Sequence, residues 1–216
     1  MSLLFGIFAE DKMQKTEKLD FIGAFEHAWI QYKSNFTKLA GWGAAIAVPP
    51  VFFHFSISAG VILTLLLEGF LMILLANSVL CAEKGLKNEI FSSPKLLLNY
   101  AKNGFMVSII LFPLLLIGAV AAIIPSIAVF SVFMFTFFIT ADGGKFATDA
   151  MFESLRRGNG YRFPLFLFSL VFYAAAFFAL FLAQLLMPIG FIAGALITPY
   201  FFTVIYEFYD QLGIQQ

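Results

Sequence analysis

Glu68 is the residue of this sequence whose type and position could do chemistry inside a membrane. It lies near the middle of an apolar stretch, about Ala59 to Ala82, that is long enough to cross a bilayer as a helix. A charged carboxylate at the bilayer centre costs at least about 2.5–3.5 kcal/mol, so this group is expected to be protonated or turned inward to a partner. Asn77 on the same stretch, with Pro49 and Pro50 on the stretch before it, completes the predicted intramembrane polar site.

Two hypotheses for Glu68 stay open at the level of sequence. Pro49 and Pro50 leave the carbonyls of Ala45 and Ile46 without their normal backbone donors, and a protonated Glu68 could donate a hydrogen bond to one of them. In the first hypothesis Glu68 belongs to a proton, cation or substrate pathway. In the second it makes a structural hydrogen bond between helices or contacts another subunit. The lack of a second acid at the same predicted depth favours the structural hypothesis.

Other kinds of chemistry find little support in the residue types. His27 and His54 are expected on opposite sides of the membrane, and Cys81 is the single cysteine, so the ligand spacings of zinc and haem sites are absent. No phosphate-binding loop precedes a helix. We therefore predict a protein that is not an enzyme, holds no metal or cofactor and binds no nucleic acid.

The elements that must position Glu68 are predicted to be six transmembrane helices. Hydrophobic residues make up 61% of the chain and charged residues only 12%, against about 25% charged in soluble domains. The predicted fold is all-α, a polytopic membrane protein with a single membrane domain over residues 19–216. Its three hairpins are placed at about 39–82, 103–141 and 161–209, after an N-terminal cytoplasmic segment over residues 1–18.

The distribution of positive charge predicts the orientation of these helices. All thirteen Lys and Arg residues fall in three clusters, Lys12 to Lys38, Lys84 to Lys102 and Lys145 to Arg162. Short loops rich in Lys and Arg stay on the cytoplasmic side of a membrane. The sequence therefore predicts a multi-pass protein of a bacterial inner membrane with both termini in the cytoplasm.

The same clusters contain three segments with amphipathic helical patterns, Leu19 to Lys38, Glu83 to Lys102 and Lys145 to Gly158. We expect them to lie along the cytoplasmic membrane interface. Each basic residue there can add about 1 kcal/mol of attraction to anionic lipid, although the preference of basic loops for the cytoplasm also explains their presence. The candidate lipid head-group contacts are Lys95, Lys102, Arg156, Arg157 and Arg162.

Small residues predict close packing of the last two helices. Ala175, Ala179 and Ala183 recur every four residues on the fifth predicted helix, and Gly190 and Gly194 open the sixth. Such spacing lets helix backbones approach one another in a membrane. Packing within one bundle is favoured over a dimer face, and the formation of an oligomer stays open.

Several motifs resemble a known group of membrane proteins. They are IGAVAAIIPSIAV, ITADGG, ATDAMFESLRRGNGYRF and ITPYFFTVIYEFYDQL in the second half, and FIGAFEHAWIQYKSNFTKL in the first. They are similar to motifs of the YciC-like bacterial polytopic inner-membrane proteins and of the membrane domain associated with some glycerophosphodiester phosphodiesterases. The resemblance implies a six-helix inner-membrane protein and supplies no catalytic residues.

Two functions follow as hypotheses. The first is a non-enzymatic integral inner-membrane protein, a structural, assembly or lipid-organising partner of a larger membrane system, in contact with membrane lipids and a protein partner. The alternative is a transporter or channel for a small solute or a lipid, which uses Glu68 near the bilayer midplane. A cavity around Glu68 that water can reach is the feature expected of the alternative.

Overall fold

The computed structural model describes residues 19–52, 55–86, 93–121 and 123–214, and these ranges form helices and short turns without a strand. The predicted cytoplasmic segment 1–18 and His54 lie outside the described residues. The π-helical segment Thr64–Glu68 joins the third and fourth helices. In chain order the α-helices are α1 (Phe21–Ser34), α2 (Phe36–Val51), α3 (Ile57–Leu63), α4 (Gly69–Glu83), α5 (Pro94–Ala121), α6 (Ile123–Phe133), α7 (Thr136–Gly143), α8 (Ala147–Arg157), α9 (Arg162–Leu185) and α10 (Met187–Ile214).

Five helical segments of the described chain are long and apolar enough to cross a membrane. Each offers at least the 17 to 25 residues, roughly, that one helical crossing needs. The prediction of an all-α, multi-pass membrane protein is confirmed at this level. The segments are Ser58–Glu83, Pro94–Gly118, Ile123–Gly143, Arg162–Ala183 and Met187–Gly213.

The first of the six predicted crossings, about Leu39 to Ser56, is shorter than expected. Helix α2 has 16 residues, which at 1.5 Å per residue gives about 24 Å, less than the roughly 30 Å of a bilayer core. Pro49 and Pro50 lie in its last turn. Proline removes a backbone donor, so the prolines stand where the helix is already ending.

Helix α1 packs against α10 along one face. Asp20 caps its N-terminus by accepting a hydrogen bond from the Gly23 N–H at 2.9 Å. Ala28 and Tyr32 are buried on the packed face, while Ile22 stays 74% exposed. The apolar residues of this predicted amphipathic helix are therefore divided between a contact with the bundle and an outer surface.

The second predicted amphipathic segment, Glu83 to Lys102, does not form a separate helix in its described part. From Pro94 onward it is the first portion of α5, which continues unbroken to Ala121. Between Pro94 and Pro113 no proline interrupts the helical hydrogen bonds. Glycine at position 104 lies in this stretch, and a glycine is tolerated inside a helix. Helix α8, in contrast, is separate and ends at Arg157.

Helices α4 and α5 cross where Gly69 meets Gly104. A Cβ on Gly69 would overlap the carbonyl oxygen of Gly104, and a Cβ on Gly104 would overlap the backbone of Phe70. The N–H of Gly69, directly after the π-helical segment, donates to Ser108 Oγ at 2.9 Å. Two glycines and one serine therefore hold the residue next to Glu68 against α5.

Aromatic rings fill the core between α1, α7, α9 and α10. The rings of Phe168 and Phe208 meet edge to face with centroids 5.1 Å apart, and those of Phe138 and Phe202 lie 5.8 Å apart. Aromatic pairs prefer these distances and contribute beyond the area that they bury. Phe135, Phe138, Phe168, Phe202 and Phe208 are the largest fully buried side chains of the described residues.

The ITADGG motif of the sequence lies at the end of a helix. Helix α7 ends at Gly143, and Gly144 takes the left-handed conformation with φ of 58°. Its N–H donates to the carbonyl of Thr140 at 3.1 Å, the usual geometry of a glycine that ends a helix. Asp142 then pairs with Lys84 at 2.5 Å, which links the end of α7 to the end of α4.

Candidate functional site

A partly enclosed cavity of about 440 Å³ lies between α2, the π-helical segment, α5, α6, α9 and α10. Its volume is within the range of pockets that hold small molecules, roughly 300–1,000 Å³. Glu68 and Pro50, two residues of the predicted polar site, line this cavity. Most other lining residues are aliphatic or aromatic.

Glu68 makes no hydrogen bond or ion pair with any of the described residues. The expected hydrogen bond from Glu68 to the carbonyl of Ala45 or Ile46 is therefore not formed. Ile46 and Glu68 instead line the same cavity. The carboxyl group is available to a molecule that enters the cavity.

Thr64 is a second polar residue at the cavity, four residues before Glu68 on the π-helical segment. It is 4% exposed, and its hydroxyl has no hydrogen-bond partner among the described residues. Residues four apart lie on the same side of a helix, so Thr64 and Glu68 share one wall of the cavity. A buried hydroxyl without a hydrogen-bond partner is destabilising. The presence of Thr64 at the cavity therefore points to a functional role rather than to a contribution to stability.

The π-helical segment is the part of the site that the sequence did not predict. Segments of this type are rare and occur often at functional sites, because the wider turn redirects side chains and leaves a backbone group without its helical partner. Here the Gly69 N–H, directly after the π-helical segment, donates to Ser108 Oγ on α5. The signal in the sequence was weak, namely Thr64 and Ser108 within otherwise apolar stretches.

The structure separates Asn77 from the cavity. Asn77 lies nine residues after Glu68, which is about 14 Å along a helix, and does not line the cavity. Its amide nitrogen donates to Cys81 Sγ at 3.4 Å, and its oxygen accepts from the Tyr100 hydroxyl at 3.4 Å. Asn77 therefore joins α4 to α5 and stands apart from Glu68, while Pro49 is buried outside the cavity lining.

The small residues of α9 and α10 have mixed surroundings. A Cβ on Gly190 would overlap Ala183, so the two helices touch at this point. At Gly194 a Cβ would meet no atom within 4 Å, and this residue lines the cavity together with Ala179. Ala175 packs on the hydrophobic core. The stripe thus brings α9 and α10 together and borders the open space between them.

Two of the predicted head-group contacts are engaged with Glu153. Arg156 Nη2 lies 2.9 Å and Arg157 Nε 3.0 Å from its carboxylate oxygens, and the Arg157 guanidinium stacks 4.7 Å from the ring of Tyr209. The hydrogen bond from Arg156 lowers the pKa of Glu153; burial of the carboxyl opposes this effect, and Arg157 adds to it. Arg157 therefore anchors α8 to α10 through contacts within the protein.

The other three predicted head-group contacts are exposed at the surface, namely Lys95, Lys102 and Arg162. The Lys102 ammonium lies 5.8 Å from the ring centroid of Phe146, a cation–π contact. Lys95 and Arg162 are exposed and form no ion pair with described residues. Of the five predicted head-group contacts, these are the two that make no ion pair or cation–π contact with described residues.

No group of three or more His, Cys, Asp or Glu side chains in the described ranges could hold a metal ion. The helices and the cavity define a multi-pass α-helical membrane protein with an open site inside its bundle. Comparisons of the chain with protein-family models, curated proteins and solved structures found no match. The resemblance to the YciC-like proteins and to the phosphodiesterase-associated membrane domain stays a prediction.

Proposed function

We propose that this protein is a non-enzymatic membrane carrier that binds a lipid-like molecule in the cavity beside Glu68. The observation that supports the proposal is the cavity itself, about 440 Å³ in volume and lined mainly by apolar side chains. Glu68 lies ten residues after Ser58, where the spanning segment begins, which is about 15 Å along a helix. That distance is half of a bilayer core of roughly 30 Å, so the cavity reaches the middle of the membrane.

The lining favours a mainly apolar molecule over a stream of ions or water. A pore for ions needs rings of carbonyl or charged groups along its length. Here Phe112, Phe133 and Phe191 stand at the cavity, and a single carboxyl group offers strong polar contact. A molecule with an apolar body and one polar group matches these surroundings best.

A cavity-filling substitution tests the proposal. We expect the purified wild-type protein to retain a lipid-like molecule that native mass spectrometry detects, and Ala176→Trp, at the cavity, to lose it. Ala174→Trp is the matched control, because Ala174 is exposed on the same helix and does not line the cavity. Equal ligand content in both variants would contradict the carrier function. A stoichiometric protein partner without a ligand would instead support the structural or assembly role that composition predicts.

We further propose that α2 completes the five long segments to six crossings in three hairpins, with both termini in the cytoplasm of a bacterial inner membrane. Support comes from α2 packing along α10, where Gly43 touches Ala195, and from Lys and Arg clusters between alternate crossings. Helix α2 is short, and a short helix can be matched by local thinning of the bilayer.

Cysteine labelling tests this orientation. In a Cys81→Ala background, a cysteine at Asn159 is expected to react with an impermeant maleimide only after the membrane is permeabilised. A cysteine at Ser56, exposed between α2 and α3, is expected to react in intact spheroplasts. The opposite pattern would reverse the proposed orientation. The proposal has an odd number of crossings between Ser56 and Asn159, so labelling of both positions from outside would contradict it.

A further inference from the structure

We infer that the cavity recognises lipophilic organic cations, molecules with one positive charge on a bulky apolar body. This inference rests on the proposed carrier function and adds the charge of the ligand to it. Three features of the cavity support it: a carboxyl group without a partner among the described residues, an aromatic wall and the end of a helix in which Pro50 removes a backbone donor.

The carboxyl group is the first feature. Glu68 has no partner among the described residues, and no Lys, Arg or His lines the cavity. Ionisable groups inside a membrane normally pair with an opposite charge or a backbone group. Since no described residue supplies a cation at the cavity, a positively charged ligand is the partner that would neutralise Glu68.

The aromatic wall is the second feature. The rings of Phe130 and Phe172 stack with centroids 5.1 Å apart, and the ring of Tyr173 meets Phe130 at 5.7 Å. All three residues line the cavity. The negative faces of aromatic rings attract cations, most strongly where water is excluded, and they are a common way to bind quaternary cations.

The C-terminal end of α2 is the third feature. Ile46, Pro50 and Val51 line the cavity, and Pro50 has no N–H to give to the carbonyl of Ile46. The C-terminal end of a helix carries a partial negative charge. This charge lies on the same cavity as Glu68, so both favour a positive ligand.

A bare metal ion is a poor occupant of this space. Hard cations need about six or more oxygen ligands at short distances, and no metal-binding cluster exists among the described residues. The cavity volume and the apolar lining suit an organic cation with several rings or alkyl groups. Thr64, on the same wall as Glu68, is a polar neighbour for the charged end of such a molecule.

Tetraphenylphosphonium and tetraphenylborate test the inference, because they have nearly the same shape and opposite charge. Each is titrated into wild-type protein in lipid nanodiscs, and binding is taken as the excess over nanodiscs that contain Ala176→Trp. We expect the phosphonium to bind at least about tenfold more tightly than the borate, a difference of about 1.4 kcal/mol. We expect Glu68→Gln, which keeps the shape of the side chain, to remove that preference.

The outcomes separate this inference from the carrier function. Equal binding of both ions above the Ala176→Trp background would overturn the charge preference and leave the carrier function standing. A preference unchanged in Glu68→Gln would overturn the role of Glu68 as the recognition group. Binding of neither ion would overturn the cation inference, and the retained lipid-like molecule would then decide the carrier function independently.

Discussion

Replacement of Gly43 by valine is expected to destabilise the protein by about 1–3 kcal/mol or more, the usual range for overpacking of a closely packed contact. A Cβ at this position would overlap the carbonyl oxygen of Ala195 and the ring of Pro199. Backbone atoms cannot rotate away as a flexible side chain can, so α2 must move off α10. The measurement is the thermal unfolding midpoint in mild detergent, followed by size-exclusion chromatography of the heated sample.

Gly41→Val is the matched control for this prediction. Gly41 lies on the same helix two residues earlier, and a Cβ there would meet no atom within 4 Å. Valine is a better helix former than glycine by a few tenths of a kcal/mol, so Gly41→Val is expected to be neutral or slightly stabilising. Equal melting temperatures for both variants and the wild type would contradict the close contact between α2 and α10.

Replacement of Glu68 by leucine is expected to raise the stability of the protein, by about 1–3 kcal/mol, while it removes ligand recognition. A buried polar group without a hydrogen bond is destabilising by this amount. Glu68 has no partner among the described residues, so leucine removes the unfavourable group without breaking a contact. The measurements are the unfolding midpoint in ligand-free detergent and the binding of the retained molecule in nanodiscs.

Glu68→Gln separates the two hypotheses for this residue. Glutamine has the same shape as glutamate and is neutral. The ligand-free Glu68→Gln variant is therefore expected to be about as stable as the wild type. A structural hydrogen bond would instead make Glu68→Leu clearly less stable than Glu68→Gln. Functional residues often lower stability in return for activity, and a gain of stability in Glu68→Leu would place Glu68 among them.

The cavity connects these two predictions. Helix α2 provides one wall of it through Ile46, Ala47 and Pro50, and α10 provides another through Phe191 and its neighbours. The contact at Gly43 therefore positions the wall that faces Glu68. Loss of that contact is expected to reduce ligand retention as well as stability, whereas Gly41→Val should reduce neither.

The sequence by itself determined the class of fold. Runs of about twenty apolar residues identify crossing segments because the bilayer sets their length, and this property is local in the chain. The predicted start of the third hairpin, at about residue 161, corresponds to the start of α9 (Arg162–Leu185). The unusual position of Glu68 was also visible, because a single charge within an apolar run needs no tertiary information to be recognised.

Only the tertiary structure decided which polar residues share a site. Periodicity shows that a residue lies on a helix, but the face that meets a neighbour depends on packing with residues far away in the chain. Gly69 and Gly104 bring α4 and α5 into contact, and Gly43 brings α2 onto α10. These contacts leave Glu68 and Thr64 at an open cavity and place Asn77 with Tyr100 elsewhere. Small residues let helices approach closely because their side chains have little volume, whereas bulky residues hold helices apart. The cavity lies where bulky neighbours keep the helices apart.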